Sequence, residues 1–500
     1  MNSILKGMFT ACLFYPLLLN AQSEIDALRY SQGSIGSTAR SLSMGGAFGA
    51  LGADFSTLGI NPAGIGFYRQ SEFSISMGFQ NRNIESDYLK NKNSSNQFSV
   101  DMPNLGLVLA YPKTREMGWK QFGFALGYNR TANFNSDIYY EGKNTDNSIL
   151  DSFTDQIYLD GGATEDELYQ YYAFGADLAY QTYLLDPDTL NLNQYISVIP
   201  NGGAYQSQSI STHGGMGEFS IAFGGSYNDK VYFGVTLGFP NINYEEESTY
   251  EEKDKDNEIT SGDSLNFIDF KAMRYEQYLK TTGNGFNAKF GVIFKPVDWV
   301  RIGAAIHTPT YYYMNDHYNS SMSSSFGNGA SFNYDSPEGS YSYNLTTPFK
   351  AIGSLAFIFG KYGLVSFDYE FTDYSGSNLD ASDYNFSEEN KIINKIYSGF
   401  ASNYRGGVEM KYENFSFRAG MAYYSSPFNE QYSVKESDQH VISYTGGIGY
   451  REKRFYVDIG YSLSKRNEYY SPYTLSYENV PGTVLKRTDN RVITTVGFRF

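Results

Sequence analysis

The chain has 500 residues and a formal net charge of −16, and its mean hydropathy is −0.43. The acidic balance argues against nucleic acid as a partner, and after residue 21 no stretch supplies the ~18 apolar residues that a membrane helix needs. Its 47 tyrosines, 37 phenylalanines and 50 glycines, beside only 14 prolines and 2 tryptophans, favour an all-β chain with close backbone approaches.

The N-terminus, MNSILKGMFTACLFYPLLLNAQSE, carries Lys6 and then an apolar run from Gly7 to Leu19. The run is too short to span a bilayer and suits the apolar region of a secretory signal. Residues 1–21 are therefore expected to be a signal peptide cut after Ala21. The only cysteine, Cys12, lies inside it, so the mature chain would hold no disulfide. From 22 to 71 comes a stretch rich in Gly, Ala and Ser with no strand pattern, expected to be a small hatch that plugs a lumen.

From 72 to 500 short stripes recur in which every second residue is apolar. Phe73, Ile75, Met77 and Phe79 form one; Phe122, Phe124, Leu126 and Tyr128 another; Val231, Phe233, Val235, Leu237 and Phe239 a third. The opposite parity is rich in glycine, including Gly106, Gly123, Gly127, Gly234, Gly291 and Gly407. A soluble barrel would fill that face with bulky apolar side chains. An apolar exterior around a roomy interior is the pattern of a membrane barrel. Short connections (227–230, 295–299, 360–363, 412–415 and 451–454) alternate with long ones expected near 81–95, 135–205, 243–270, 312–340, 373–398, 425–438 and 464–488. The count gives about 14 antiparallel strands, and RVITTVGFRF, ending on Phe500, is the expected closing strand and contact for the barrel-assembly machinery. The expectation is a transmembrane antiparallel β-barrel, integral to a bacterial outer membrane and in contact with its lipid and lipopolysaccharide.

MGGAFGALGADFSTLGINPAGIG, with Asn61-Pro62-Ala63-Gly64, resembles the hatch of the FadL family of outer-membrane transporters for long-chain fatty acids and other hydrophobic compounds. FKPVDWVRIGAAIHTP (294–309), the stretch 347–375 and FRAGMAYYSSPF (417–428) are similar to barrel segments of that family, nearest its Bacteroidetes branch, often labelled hemin receptor. The resemblance implies a monomer that takes up a hydrophobic small molecule passively and releases it sideways into the membrane. It also implies that Asn61, Pro62 and Ala63 face a kink in the third strand, expected to begin at Gln121. Gly127, Asn129 and Arg130 are the candidates for that kink. Arg130 falls on the lipid-facing parity, so either it snorkels to the interface or the register breaks there. In the long third connection Tyr169, Tyr172, Phe174, Leu178 and Tyr183 are candidates to capture ligand, with packing among themselves as the alternative.

Inward-parity charges include Arg301, Arg418 and Arg491, which could receive a carboxylate or pair across the lumen and hold the hatch. The acidic run 244–258 could gather divalent cations or be a solvated loop. The four histidines, His213, His307, His317 and His440, are dispersed and single out no haem ligand. No catalytic set, metal site or cofactor is expected from spacing. The alternatives to transport are a surface adhesin or structural barrel, a haem-binding receptor and a polar-solute porin.

Overall fold

A computed structural model describes residues 24–33, 36–113, 117–199, 202–259, 269–432 and 439–500. The expected signal peptide lies outside the described residues. None of the described helices is long and apolar enough to cross a membrane; the crossing is made by strands.

Fourteen antiparallel strands close into a barrel. They are β1 (Glu72–Tyr88), β2 (Asn91–Pro112), β3 (Trp119–Asn133, continued by Ser136–Lys143), β4 (Tyr205–Tyr227), β5 (Val231–Lys253) and β6 (Phe270–Val297). Then come β7 (Val300–His307, continued by Tyr311–Phe326), β8 (Ser331–Asp335, Gly339–Thr346 and Lys350–Ile358) and β9 (Gly363–Thr372, continued by Asn378–Asp380). The last five are β10 (Ala401–Tyr412), β11 (Phe415–Tyr424), β12 (Val441–Arg451), β13 (Phe455–Tyr470) and β14 (Thr483–Arg499). Closure is the β1–β14 ladder, which runs from Glu72↔Arg499 to Asp87↔Val484 and leaves no free sheet edge there. β7 and β8 are interrupted around Pro309 and Pro348, which have no N–H to give to a ladder.

The alternating stripes face outward as a band of exposed side chains, with Phe290 and Phe417 each half exposed beside Phe73, Ile302, Phe367 and Ile459. Water contact would cost such a band about 25 cal/mol for each Å² of apolar surface, so its solvent is lipid. The five short connections fall at one end of the barrel, as the sequence predicts.

At the opposite, loop end the expectation is corrected in places. Near 81–95 there is no long loop: β1 and β2 run on and turn tightly at Leu89 and Lys90, both at positive φ (50° and 71°), the geometry of a type I′ hairpin. Likewise 312–340 and much of 464–488 are strand extensions. Beyond the lipid-facing band the outer face stands in water, so residues such as NKNSSN (91–96) keep strand geometry without an apolar stripe, while Ile84, Tyr88, Met314 and Met322 are buried on the inner face. The 135–205 connection folds into a lid with helices Ile149–Leu159, Glu165–Tyr171 and Ala176–Gln181. The lid packs on the strand extensions through a core in which its Leu150, Phe153, Leu168, Leu178 and Leu184 are buried with Tyr250, Tyr275 and Met322.

Inside the barrel lies the hatch. Its short helices Glu24–Arg29, Ala39–Ser43 and Thr57–Ile60, and the 3-10 turn Pro62–Phe67, are joined by compact loops. Nearly every described residue from Thr38 to Gly66 is buried.

Candidate functional site: hatch, cavity and seam

The hatch seats on a belt of small residues. A Cβ at Gly234 would strike the Pro62 carbonyl, one at Gly291 the Asn61 side chain, one at Gly303 the Gly49 carbonyl and one at Gly407 the Met44 carbonyl. Gly224, Gly234 and Gly291 are paired in register on β4, β5 and β6, so the belt is continuous there. Asn61-Pro62-Ala63-Gly64 is built to lie on it. The Asn61 Oδ1 caps the 3-10 turn by accepting from the Ala63 N–H at 3.1 Å, and Pro62 starts the turn where a missing N–H costs nothing. The Asn61 Nδ2 donates to the Gly49 carbonyl at 2.6 Å and reaches the β6 and β7 carbonyls of Val292 and Ala304 at 3.3 Å. Gly64 packs on Thr57, where a Cβ would not fit.

Further bonds tie the hatch to the wall. Asp368 on β9 accepts from the Phe48 and Gly49 N–H groups at 2.9 Å. Thr495 on β14 accepts from the Ala39 N–H at 2.8 Å, and His307 Nε2 lies 2.9 Å from the Ile60 carbonyl. Arg40 pairs with Glu409 at 2.9 Å; Arg418 pairs with the same Glu409 at 2.7 Å and with Asp458 at 2.6 Å. All four side chains are buried, where each charge is tolerated only through its partners.

Above the hatch lies a cavity of about 910 Å³. One wall is apolar, formed by Tyr30, Phe134, Met216, Tyr244, Tyr312 and Ile396. Another is a guanidinium network. Arg82 binds Asp489 at 2.6 Å, Arg487 reaches Asp489 at 3.3 Å and Glu468 at 3.4 Å, and Arg466 also pairs with Glu468. Arg491 and Arg130 share Asp101, at 3.2 and 3.4 Å. Five guanidiniums thus meet three carboxylates, an excess of two positive charges facing an apolar wall.

Beside that network the barrel wall has a seam. The β2–β3 ladder rises from Pro112↔Gln121 and ends at Asn104↔Asn129. Above it β2 stays paired to β1, while β3 shifts register between Arg130 and Ala132 and continues against β4 as Ser136–Lys143. Side chains bridge the gap: Asn133 Nδ2 donates to Ser99 Oγ at 3.1 Å and to Asp101 Oδ2 at 3.4 Å. Outward-facing Val100 and Met102 are exposed beside the seam, so it lies at the apolar band. Arg130 turns inward there, donating to the Gly214 carbonyl at 2.7 Å and lining the cavity. Gly127 and Asn129 sit just below, with Phe55 of the hatch packed against Gly127 and Gly106.

The structure corrects two expectations about placement. Asn61, Pro62 and Ala63 do not face β3; they lie on β4 to β7, because the glycines that admit hatch backbone are there, whereas β3 at Gly123 and Gly127 meets the side chains of Ile65 and Phe55. Nor do the five lid residues line one groove. Leu178 is in the lid core, the Phe174 ring packs tilted against Tyr318 at 4.9 Å, Tyr172 donates to Asp160 at 2.7 Å, and Tyr169 and Tyr183 are exposed. None of the five lines the cavity. Of the three luminal arginines, Arg301 stacks over Phe67 of the hatch at 4.3 Å, Arg418 sits in the hatch lock, and Arg491 alone reaches the cavity. Sequence reasoning passed over Asp101, although its surroundings carry a signal. The apolar parity is even at Phe98, Val100 and Met102 and odd from Leu105 to Tyr111, with the bulge between.

No protein-family model matches the sequence, and no curated protein does. Solved structures do match. The toluene transporter TodX of Pseudomonas putida aligns at a TM-score of 0.53 and 13% identity, over 94% of this chain and 99% of that one. A FadL homologue of Pseudomonas aeruginosa aligns at 0.52 and 13% identity, over 94% and 99%. The chain shares the FadL-type fold, a hatch-plugged barrel of fourteen strands.

Proposed function

We propose that this chain is an outer-membrane channel for passive uptake of hydrophobic small molecules, with long-chain fatty acids or similar amphiphiles as cargo. The observation that carries this reading is a cavity with one apolar and one guanidinium-rich wall, beside a gap in the strand ladder at the level of the lipid-facing band. The hatch fills the lumen below, so a ligand in the cavity leaves sideways, between β2 and β3, into the bilayer. No bond is made or broken and no energy is consumed. An amphiphile with an anionic head fits both walls, whereas a bare hydrocarbon would leave the excess guanidinium charge unanswered. On this reading residues 1–21 are a cleaved signal, 22–71 the hatch and 72–500 the barrel, working as a monomer.

The adhesin reading draws on one feature: Tyr158, Tyr171, Leu190 and Leu192 of the lid are exposed apolar side chains. Uptake of labelled oleate by cells expressing the protein separates the two. Transport predicts uptake several-fold above cells without it. Stapling β2 to the continuation of β3 through the Ser94→Cys/Tyr139→Cys pair, both exposed and at the same level, with a reducible thiol cross-linker should abolish that uptake, and reduction should restore it. Uptake equal to that of the control cells would overturn the transport reading and favour the lid surface as the working part.

A further inference from the structure

We propose that Asp101 is an internal stand-in for the ligand's head group, holding the β2–β3 seam shut until an incoming carboxylate takes over its arginines. This rests on the transport reading above.

Asp101 sits on β2 at the first residues beyond the end of the β2–β3 ladder. Its carboxylate joins three strands. Arg491 reaches it from β14, across β1, while Arg130 and Asn133 reach it from β3, across the seam. The contacts are long: hydrogen bonds of 3.2 Å from Arg491 and 3.4 Å from Asn133, and an ion pair of 3.4 Å to the Arg130 Nε. Two other buried pairs in the lumen are tighter, Arg418–Asp458 at 2.6 Å and Lys289–Glu218 at 2.5 Å. One carboxylate is thus stretched over three donors.

The donors have capacity left. The Arg491 Nε is buried without a hydrogen bond, and the Arg130 Nε faces Asp101 at 3.4 Å without the geometry of one. Both arginines line the cavity, and Ala132, Phe134 and Ile138 extend its wall beyond the seam. A carboxylate arriving from the cavity finds two under-used guanidiniums, each able to bind it with two N–H groups. Once Arg130 turns to it, Asp101 loses its charged partner across the seam and keeps only the 3.4 Å contact from Asn133, and backbone bonds do not take over because the ladder has already ended. The head group of the ligand therefore opens the path that its apolar chain then follows. A neutral molecule of the same length lacks the group that makes the exchange.

The test uses the full mature barrel in lipid nanodiscs. Spin labels go on Val100→Cys and Tyr139→Cys, both outward-facing and outside the clasp. The distance across the seam is measured without ligand, with oleate and with oleyl alcohol, and retained ligand is quantified in the same samples. Oleate should lengthen the distance by several ångströms and oleyl alcohol should not. Adding Asp101→Asn should lengthen it without ligand and leave oleate with little further effect. Equal responses to oleate and the alcohol, or Asp101→Asn behaving like the parent, would overturn the inference. Retained oleate with an unmoved seam sinks this inference alone; no retained oleate sinks the transport reading beneath it.

Discussion

Gly291 shows how one missing methyl group can decide where a larger piece of structure goes. Its Cβ position is taken by the Asn61 side chain, with Pro62 Cδ 3.0 Å away. Asn61 is fully buried and bonded at both ends of its amide, so it cannot move aside cheaply. Gly291→Val should destabilise the folded barrel by about 1–3 kcal/mol, the usual cost of overpacking. Thermal unfolding in detergent would show this as a lower midpoint, and planar-bilayer recording should show a leak where the hatch lifts. Gly353, which has open space around its Cβ position, is the control: Gly353→Val should change neither. Glu409 makes the complementary case for charge. Glu409→Gln would leave Arg40 and Arg418 sharing a neutral partner in a buried setting. The expected loss is about 3 kcal/mol, read as a lower denaturant midpoint.

Among the elements, the lid helix Ile149–Leu159 carries a pH dependence. Ser148 caps it, and the Asp151 carboxylate accepts from the Ser148 N–H at 2.8 Å to complete the capping box. Burial pushes the Asp151 carboxyl up to about 7, with the Glu252 and Glu478 carboxylates adding to the rise against the favourable backbone bond. The folded lid therefore holds this proton more tightly than the unfolded chain does. Its contribution is fully present below the ordinary value of 3.8 and is lost as pH rises toward about 7. Amide exchange protection of the helix, corrected for the intrinsic rate, should fall about tenfold or more over that range, and Asp151→Asn should flatten the profile. How much could be read beforehand differs sharply between elements. The bilayer-facing strands were legible because lipid on one side and a lumen on the other force a period of two. The β1–β2 hairpin beyond residue 81 was not, because outside the lipid its outer face is polar and its buried face mixes Arg82 and Ser86 with Ile84 and Tyr88, so no apolar stripe marks the ladder. The seam was half legible: Arg130 on the wrong parity marked β3, but its partner Asp101 needed the bulge in β2 to be seen. Hatch placement was not legible, since which glycine meets which hatch residue depends on how the whole wall curves.

At the scale of the whole molecule, the wall and the hatch are complementary halves of one interior. The apolar band faces lipid, the glycine belt faces the hatch, and the space left over is the cavity from which the seam leads out. The uptake and spin-label experiments test that arrangement as a path. The bonds that seat the hatch also span the chain: the Ala39 N–H meets Thr495 across 456 positions of sequence, and Arg40 meets Glu409 across 369. The hatch, made before any strand, thus finds the last of its partners only when the last strand has arrived. A barrel closed without its hatch would surround a belt of bare glycine backbone that no other part of the chain is shaped to cover. The order of assembly that this geometry favours has the last strands zip shut around the hatch as around a mandrel, with sealing and closure a single event.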